Sequence, residues 1–151
     1  MLKLRKAVIV SVLMNTRKFI ISGFLAGLAM LAVSQAVSAI AGMVPGLAYS
    51  IFELGGMRAM DDPIAILFFA HFWVLAFAMA YVYGRLGAAL KGDAMAKGKT
   101  FGIIMWLVAS LPSIFLVWSS MDYPLGFHIG SIIGSVIYMP AAGIIIAKFM
   151  G

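Results

Sequence analysis

Charged side chains divide this sequence into long apolar runs, and the spacing of those runs predicts the secondary structure. Between Lys18 and Glu53 there is no Asp, Glu, Lys, Arg or His, and residues 19–42 are continuous enough for one span. A second run lies between Asp62 and Arg85 and is interrupted by His71; a third, between Lys99 and Asp122, is uncharged. The fourth extends from Tyr123 to Ala147 and contains His128. At about 1.5 Å per residue, about 20 residues cross the roughly 30 Å hydrocarbon layer. The pattern therefore predicts an all-α integral membrane protein, a four-transmembrane-helix bundle. Its spans fall at about 19–42, 63–84, 100–120 and 124–147, in a single membrane domain, 1–151. Residues 1–15 mix apolar positions with three bases and read as an N-terminal interfacial helix or an extension of the first span.

Composition agrees with this division and adds an orientation. Hydrophobic residues make up 64% and charged residues 11%, against about 45–50% and about 25% in soluble domains. Four spans leave little length for a catalytic domain outside the bilayer. Of the 11 Lys and Arg residues, only Arg58 lies in the 43–62 loop or beside Asp122; the rest flank the other ends of the spans. The acids are biased the opposite way: Glu53, Asp61, Asp62 and Asp122 lie beyond the base-poor ends. The positive-inside rule then puts both termini and the 85–99 loop in the cytoplasm, with the chain in the inner membrane of a prokaryote. The net charge of +6 reads as a topology signal and as affinity for anionic lipids on the cytoplasmic face, with no nucleic-acid partner. A basic stretch, an apolar stretch and Val37-Ser38-Ala39 also fit a secretory signal. The apolar run continues through Val44, however, and an uncleaved first span is expected.

Small residues at four-residue spacing mark the expected helix contacts. Gly23 and Gly27 lie on the first span, and Gly126, Gly130 and Gly134 form one stripe on the fourth. In a bilayer such stripes permit close backbone approach, within the chain or as a glycine zipper in a homo-oligomer. Pro112 and Pro140 interrupt the third and fourth spans, and Ser110 or Ser113 can satisfy a carbonyl that Pro112 leaves unpaired. In the 43–62 loop, Pro45-Gly46 and Gly55-Gly56 are breaks that bracket a short apolar helix. Arg58 stands three and four residues before Asp61 and Asp62, a local ion pair leading into the helix start at Asp62-Pro63.

The even-numbered spans share a weak repeat. Asp62-Pro63 precedes His71 with Tyr81 ten residues on, and Asp122-Tyr123-Pro124 precedes His128 with Tyr138 ten residues on. This reads as two helical hairpins related by a twofold axis along the membrane normal. Histidines within spans are rare and face the bundle interior or a cavity. His71 and His128 are therefore the candidate ligand pair, with Glu53, Arg58, Asp61, Asp62 and Asp122 as polar groups at the mouth. Haem or a metal between the imidazoles is chemically conceivable. Their depths differ by about one turn, roughly 6 Å, so no cofactor and no metal is expected, and packing histidines are the plainer reading. Zero cysteines exclude thiol chemistry and thiolate metal sites. No catalytic motif is present, so no enzyme is expected.

Gly23-Phe24-Leu25-Ala26-Gly27, Ala70-His71-Phe72, Phe101-Gly102 with Trp106-Leu107-Val108, and the Gly130–Tyr138 stretch resemble small uncharacterised four-span prokaryotic membrane proteins. That resemblance implies the four-helix layout and carries no activity. The residues support three functions: a non-enzymatic accessory or self-associating subunit of a membrane assembly, a small transporter or channel for a neutral or hydrophobic solute, and an electron-transfer protein using both histidines. The first is the leading expectation.

Overall fold

The computed structural model describes residues 2–59 and 61–151, with side chains from residue 16 onward except Phe52 and Met60. Four helices are long and apolar enough to cross a membrane: Thr16–Gly42, Pro63–Ala89, Ala94–Ser120 and Leu125–Met150. The first belongs to α1 (Leu2–Gly42). The expected interfacial helix falls on residues 1–15, whose packing lies outside the described residues. The second span opens with a 3-10 turn, Pro63–Ile66, and continues as α2 (Leu67–Leu86). The third is α3 (Ala94–Met105), a π-turn at Trp106–Ser110, and α4 (Leu111–Ser120). The fourth is α5 (Leu125–Met150).

Local chemistry sets the helix starts. Asp62 accepts the Ile64 amide at 2.8 Å with Pro63 in the first turn, and Asp93 accepts the Ala96 amide at 2.8 Å ahead of α3. Each carboxylate thus satisfies an amide that has no partner inside its own helix. Gly46 (φ +82°) and Gly56 (φ +83°) adopt left-handed backbone at the two expected loop breaks. The helix expected between them is reduced to a single 3-10 turn, Ile51–Glu53. The reason is contact: the Leu47 backbone lies against Gly126 so closely that a Cβ there would meet the Leu47 carbonyl, and the loop is held to α5.

The spans pair as hairpins, α1 with α2 and α3 with α5, joined by a long α1–α5 interface. A twofold axis would require an equivalent interface between the second and third spans, and among the described residues none of comparable extent exists. The asymmetry has a sequence cause. The third span spends its small residues, Gly98 and Gly102, on α5: a Cβ on either would lie under 3.0 Å from backbone at Gly143–Ile144 or Met139–Pro140. It then offers nothing comparable to α2.

Burial is concentrated toward the end carrying both termini. Ala26, Met30, Ala76, Met79, Ala80, Met139, Ala142 and Ile146 are fully buried there. Toward the loop end packing loosens, and α4 has no buried residue at all. The expected packing glycines all meet parts of this same chain: Gly23 faces Phe77, Gly27 faces Trp73, Gly126 faces Leu47, Gly130 faces Tyr49, and Gly134 faces Val37 and Tyr138.

Candidate functional site

The loose loop-side half encloses a cavity of about 620 Å³ bounded by all four spans. Its lining runs along α5 from Phe127 to Tyr138, about 16 Å at helical rise, so it reaches roughly half the hydrocarbon depth. The third span makes room for it. Pro112 cannot donate to the preceding turn, and the backbone responds with the π-turn, in which the Leu111 amide reaches back to the Trp106 carbonyl. Ser113 Oγ donates to the Ala109 carbonyl at 2.8 Å, a neighbour of the Val108 carbonyl that Pro112 leaves without its amide. The π-turn is anchored to α5, because Trp106 Nε1 donates to Ser135 Oγ at 2.9 Å. Beyond that anchor α4 lies open.

The wall is polar without being charged. Ser34, Gln35 and Ser38 come from α1, His71 from α2, Ser110 and Ser113 from the third span, and His128, Ser131 and Tyr138 from α5. Tyr49 enters from the loop. Aromatic surface fills the rest: Phe68, Phe69 and Phe72 on one side and Phe127 on the other. No Asp, Glu, Lys or Arg lines it. An ion entering would lose hydration without gaining a counter-charge, a cost of several kcal/mol or more.

The two histidines differ in what they can offer. His71 Nδ1 is hydrogen-bonded to the Phe68 carbonyl, one turn earlier. A carbonyl can only accept, so Nδ1 carries a proton, and in that tautomer Nε2 is the acceptor. Its faces are occupied, with Phe72 at 4.0 Å and Phe68 at 5.5 Å between centroids. His128 is 8% exposed and, like Ser34, Gln35 and Ser38, has no side-chain hydrogen bond among the described residues. These groups share the cavity and keep their donors and acceptors available to an occupant.

The structure thus unites His71 with His128 and leaves the expected mouth residues elsewhere. Arg58 Nη1 donates to Asp62 Oδ2 at 2.6 Å in an exposed i,i+4 pair, the local bridge the spacing predicts. That guanidinium hydrogen bond, with the Ile64 amide second, holds the Asp62 carboxyl below the usual carboxylate range. Glu53, Asp61 and Asp122 are exposed and line no part of the cavity. Among the described residues no three His, Cys, Asp or Glu side chains group as a metal site.

Sequence reasoning missed Gln35, the single amide of the uncharged first span, flanked by Ser34 and Ser38. Those serines have the same spacing as packing residues, and only the amide between them marks a polar stripe. Tyr138 entered as part of a repeat and is in fact a cavity wall.

At the cavity floor, Met30 lies one turn beyond Ser34, Met79 one turn beyond Leu75, and Met139 follows Tyr138; all three are fully buried. All three belong to the packed hydrophobic core. No protein-family model, curated protein or solved structure matches this chain.

Proposed function

We propose that this chain is a non-enzymatic membrane-embedded binding protein for an uncharged solute, working as a small transporter whose cavity is open toward the loop end. The observation that carries the reading is the uncharged cavity of about 620 Å³, within the usual range for small-molecule sites. Ser34, Gln35, Ser38 and His128 have no side-chain hydrogen bond among the described residues, and His71 keeps Nε2 beside its bond to Phe68. The buried Met30, Met79 and Met139, packed in the core next along the helices from lining residues, support a site open to one side. The glycine stripes that motivate a self-associating subunit are engaged within the chain, so the accessory-subunit reading has less to draw on. The base distribution supports a prokaryotic inner membrane with the termini and the floor on the cytoplasmic side.

The absence of native cysteine gives a clean test. A cysteine at Gln35 or Ser38 should react with uncharged N-ethylmaleimide in intact proteoliposomes, and one at Met30 should not. Uptake of uncharged solutes should exceed that of protein-free vesicles and should fall once Ser38→Cys is modified. Equal uptake with and without protein would overturn the transport role, and an unreactive Gln35→Cys would overturn the open cavity.

A further inference from the structure

Resting on the cavity reading above, we infer that the occupant is a planar, oxygen-substituted six-membered ring of the phenol or quinone class. Two aromatic pairs stand at opposite ends of the space. Tyr49 and Phe127 meet edge-to-face at 5.7 Å near the loop, and Phe72 and Tyr138 do so at 5.6 Å near the floor. Aromatic faces and edges favour another ring by stacked or T-shaped contact, beyond the gain from area alone. A flexible polyol would cover those faces poorly and would leave hydroxyls against hydrocarbon.

The polar groups complete the recognition. His128 is more than nine-tenths buried, lines the space, meets Phe127 edge-to-face and has no side-chain hydrogen bond among the described residues. Gln35 can both donate and accept, and His71 Nε2 accepts. Together they suit oxygen at a ring edge, a hydroxyl donating to imidazole or a carbonyl accepting from the amide. No Asp, Glu, Lys or Arg stands among them to pair a charged substituent, which selects against carboxylated or aminated rings. A ring with an apolar substituent also partitions into the bilayer around the site.

The test is equilibrium dialysis of the full-length protein in phosphatidylcholine nanodiscs, with empty nanodiscs subtracted. The probes are p-cresol, menadione and 4-methylcyclohexanol, the last keeping the size and hydroxyl of cresol without its planarity. Saturable binding of p-cresol (phenol class) or menadione (quinone class) is expected, at least about tenfold tighter than that of 4-methylcyclohexanol. Gln35→Leu should weaken it up to about tenfold, the upper range for one neutral hydrogen bond. Ser38→Phe, on an exposed position of the lining, should abolish it by filling the space. Equal affinity for 4-methylcyclohexanol overturns the ring assignment and leaves the cavity reading intact. Binding unchanged in both variants places the ring outside the cavity and overturns the inference. Absence of saturable binding by all three probes overturns it as well, and the solute-uptake and maleimide results then decide separately whether the cavity reading stands.

Discussion

Trp106 Nε1 donates to Ser135 Oγ at 2.9 Å, linking the first residue of the π-turn to a serine that is 1% exposed on α5. This bond sits where the third span changes character, between the glycine-packed α3 and the open α4. Hydrogen bonds between membrane helices average about 0.6 kcal/mol and reach about 1.7. Ser135→Ala should therefore lower stability by about 1 kcal/mol, read as reduced resistance to denaturant in detergent. Trp106→Phe should cost a similar amount, and the double variant little more than either, because both remove one interaction. Additive losses would show that the two residues act separately.

The tightest helix contact belongs to glycines that the spacing argument passed over. Gly98 and Gly102 meet α5 backbone, which cannot move aside as a side chain can. Alanine at either position should destabilise by about 1–3 kcal/mol, the range for overpacking, and should lower the yield of monodisperse protein. Gly42→Ala, with open space around it, should be neutral. Measuring the three variants side by side tests whether α3–α5 packing holds the terminal half together.

How much was legible follows from these residues. The four spans were readable because a charge is costly in hydrocarbon, so charge positions alone mark the helix ends. His71 and His128 stood out for the same reason, and both line one cavity; the depth offset bears on a shared ligand atom and is compatible with a cavity of this length. Gly98 and Gly102 were hidden because a small-residue pair says nothing about which partner it meets. Gln35 was hidden because it carries no charge. The π-turn follows from Pro112 only in the presence of α5, since Trp106 takes its partner there. The asymmetry of the hairpins also lies beyond a local pattern, because it depends on which of two glycine-bearing faces wins α5.

Acid should release the start of the second span. The Asp62 carboxyl, with its folded pKa below the unfolded one, contributes above the usual carboxylate range near 3.9. That contribution is lost as pH falls through the depressed folded value. Exchange of the Ile64 amide should therefore accelerate only below about pH 4, beyond the intrinsic pH dependence of exchange, and Asp62→Ala should show the faster exchange at neutral pH. The exposed Arg58 bridge is screened by solvent, so added salt should have a small effect.

Orientation is open to direct labelling. Ala59 in the loop and Ala96 at the start of α3 are both exposed and lie toward opposite ends of the bundle. Introduced singly as cysteines, the former should react with an impermeant maleimide in intact prokaryotic cells and the latter only after lysis. The reverse pattern would place ten of the eleven bases on the positive side of the membrane and contradict the charge argument.

Two histidines in one cavity make haem the obvious chemical challenge, and the geometry opposes it. A bis-imidazole haem needs Nε2 of each ring to approach iron along its own plane, with the macrocycle lying roughly across that plane. The His71 tautomer is suitable, since Nδ1 is hydrogen-bonded to the Phe68 carbonyl and Nε2 is free to ligate. The obstacle is the phenyl ring of Phe72, 4.0 Å from the imidazole and tilted by only 35°. It crowds the imidazole face beside which a macrocycle at Nε2 would have to fit. Phe72 is itself 4% exposed and wedged edge-to-face against Tyr138, so moving it would disturb the cavity wall. Haem added to the purified protein should therefore give no low-spin bis-imidazole spectrum. Phe72→Ala, which clears that face, is the variant in which such a spectrum would first emerge. A Soret band in the native protein that disappears in both His71→Ala and His128→Ala would overturn this and make electron transfer the function to pursue.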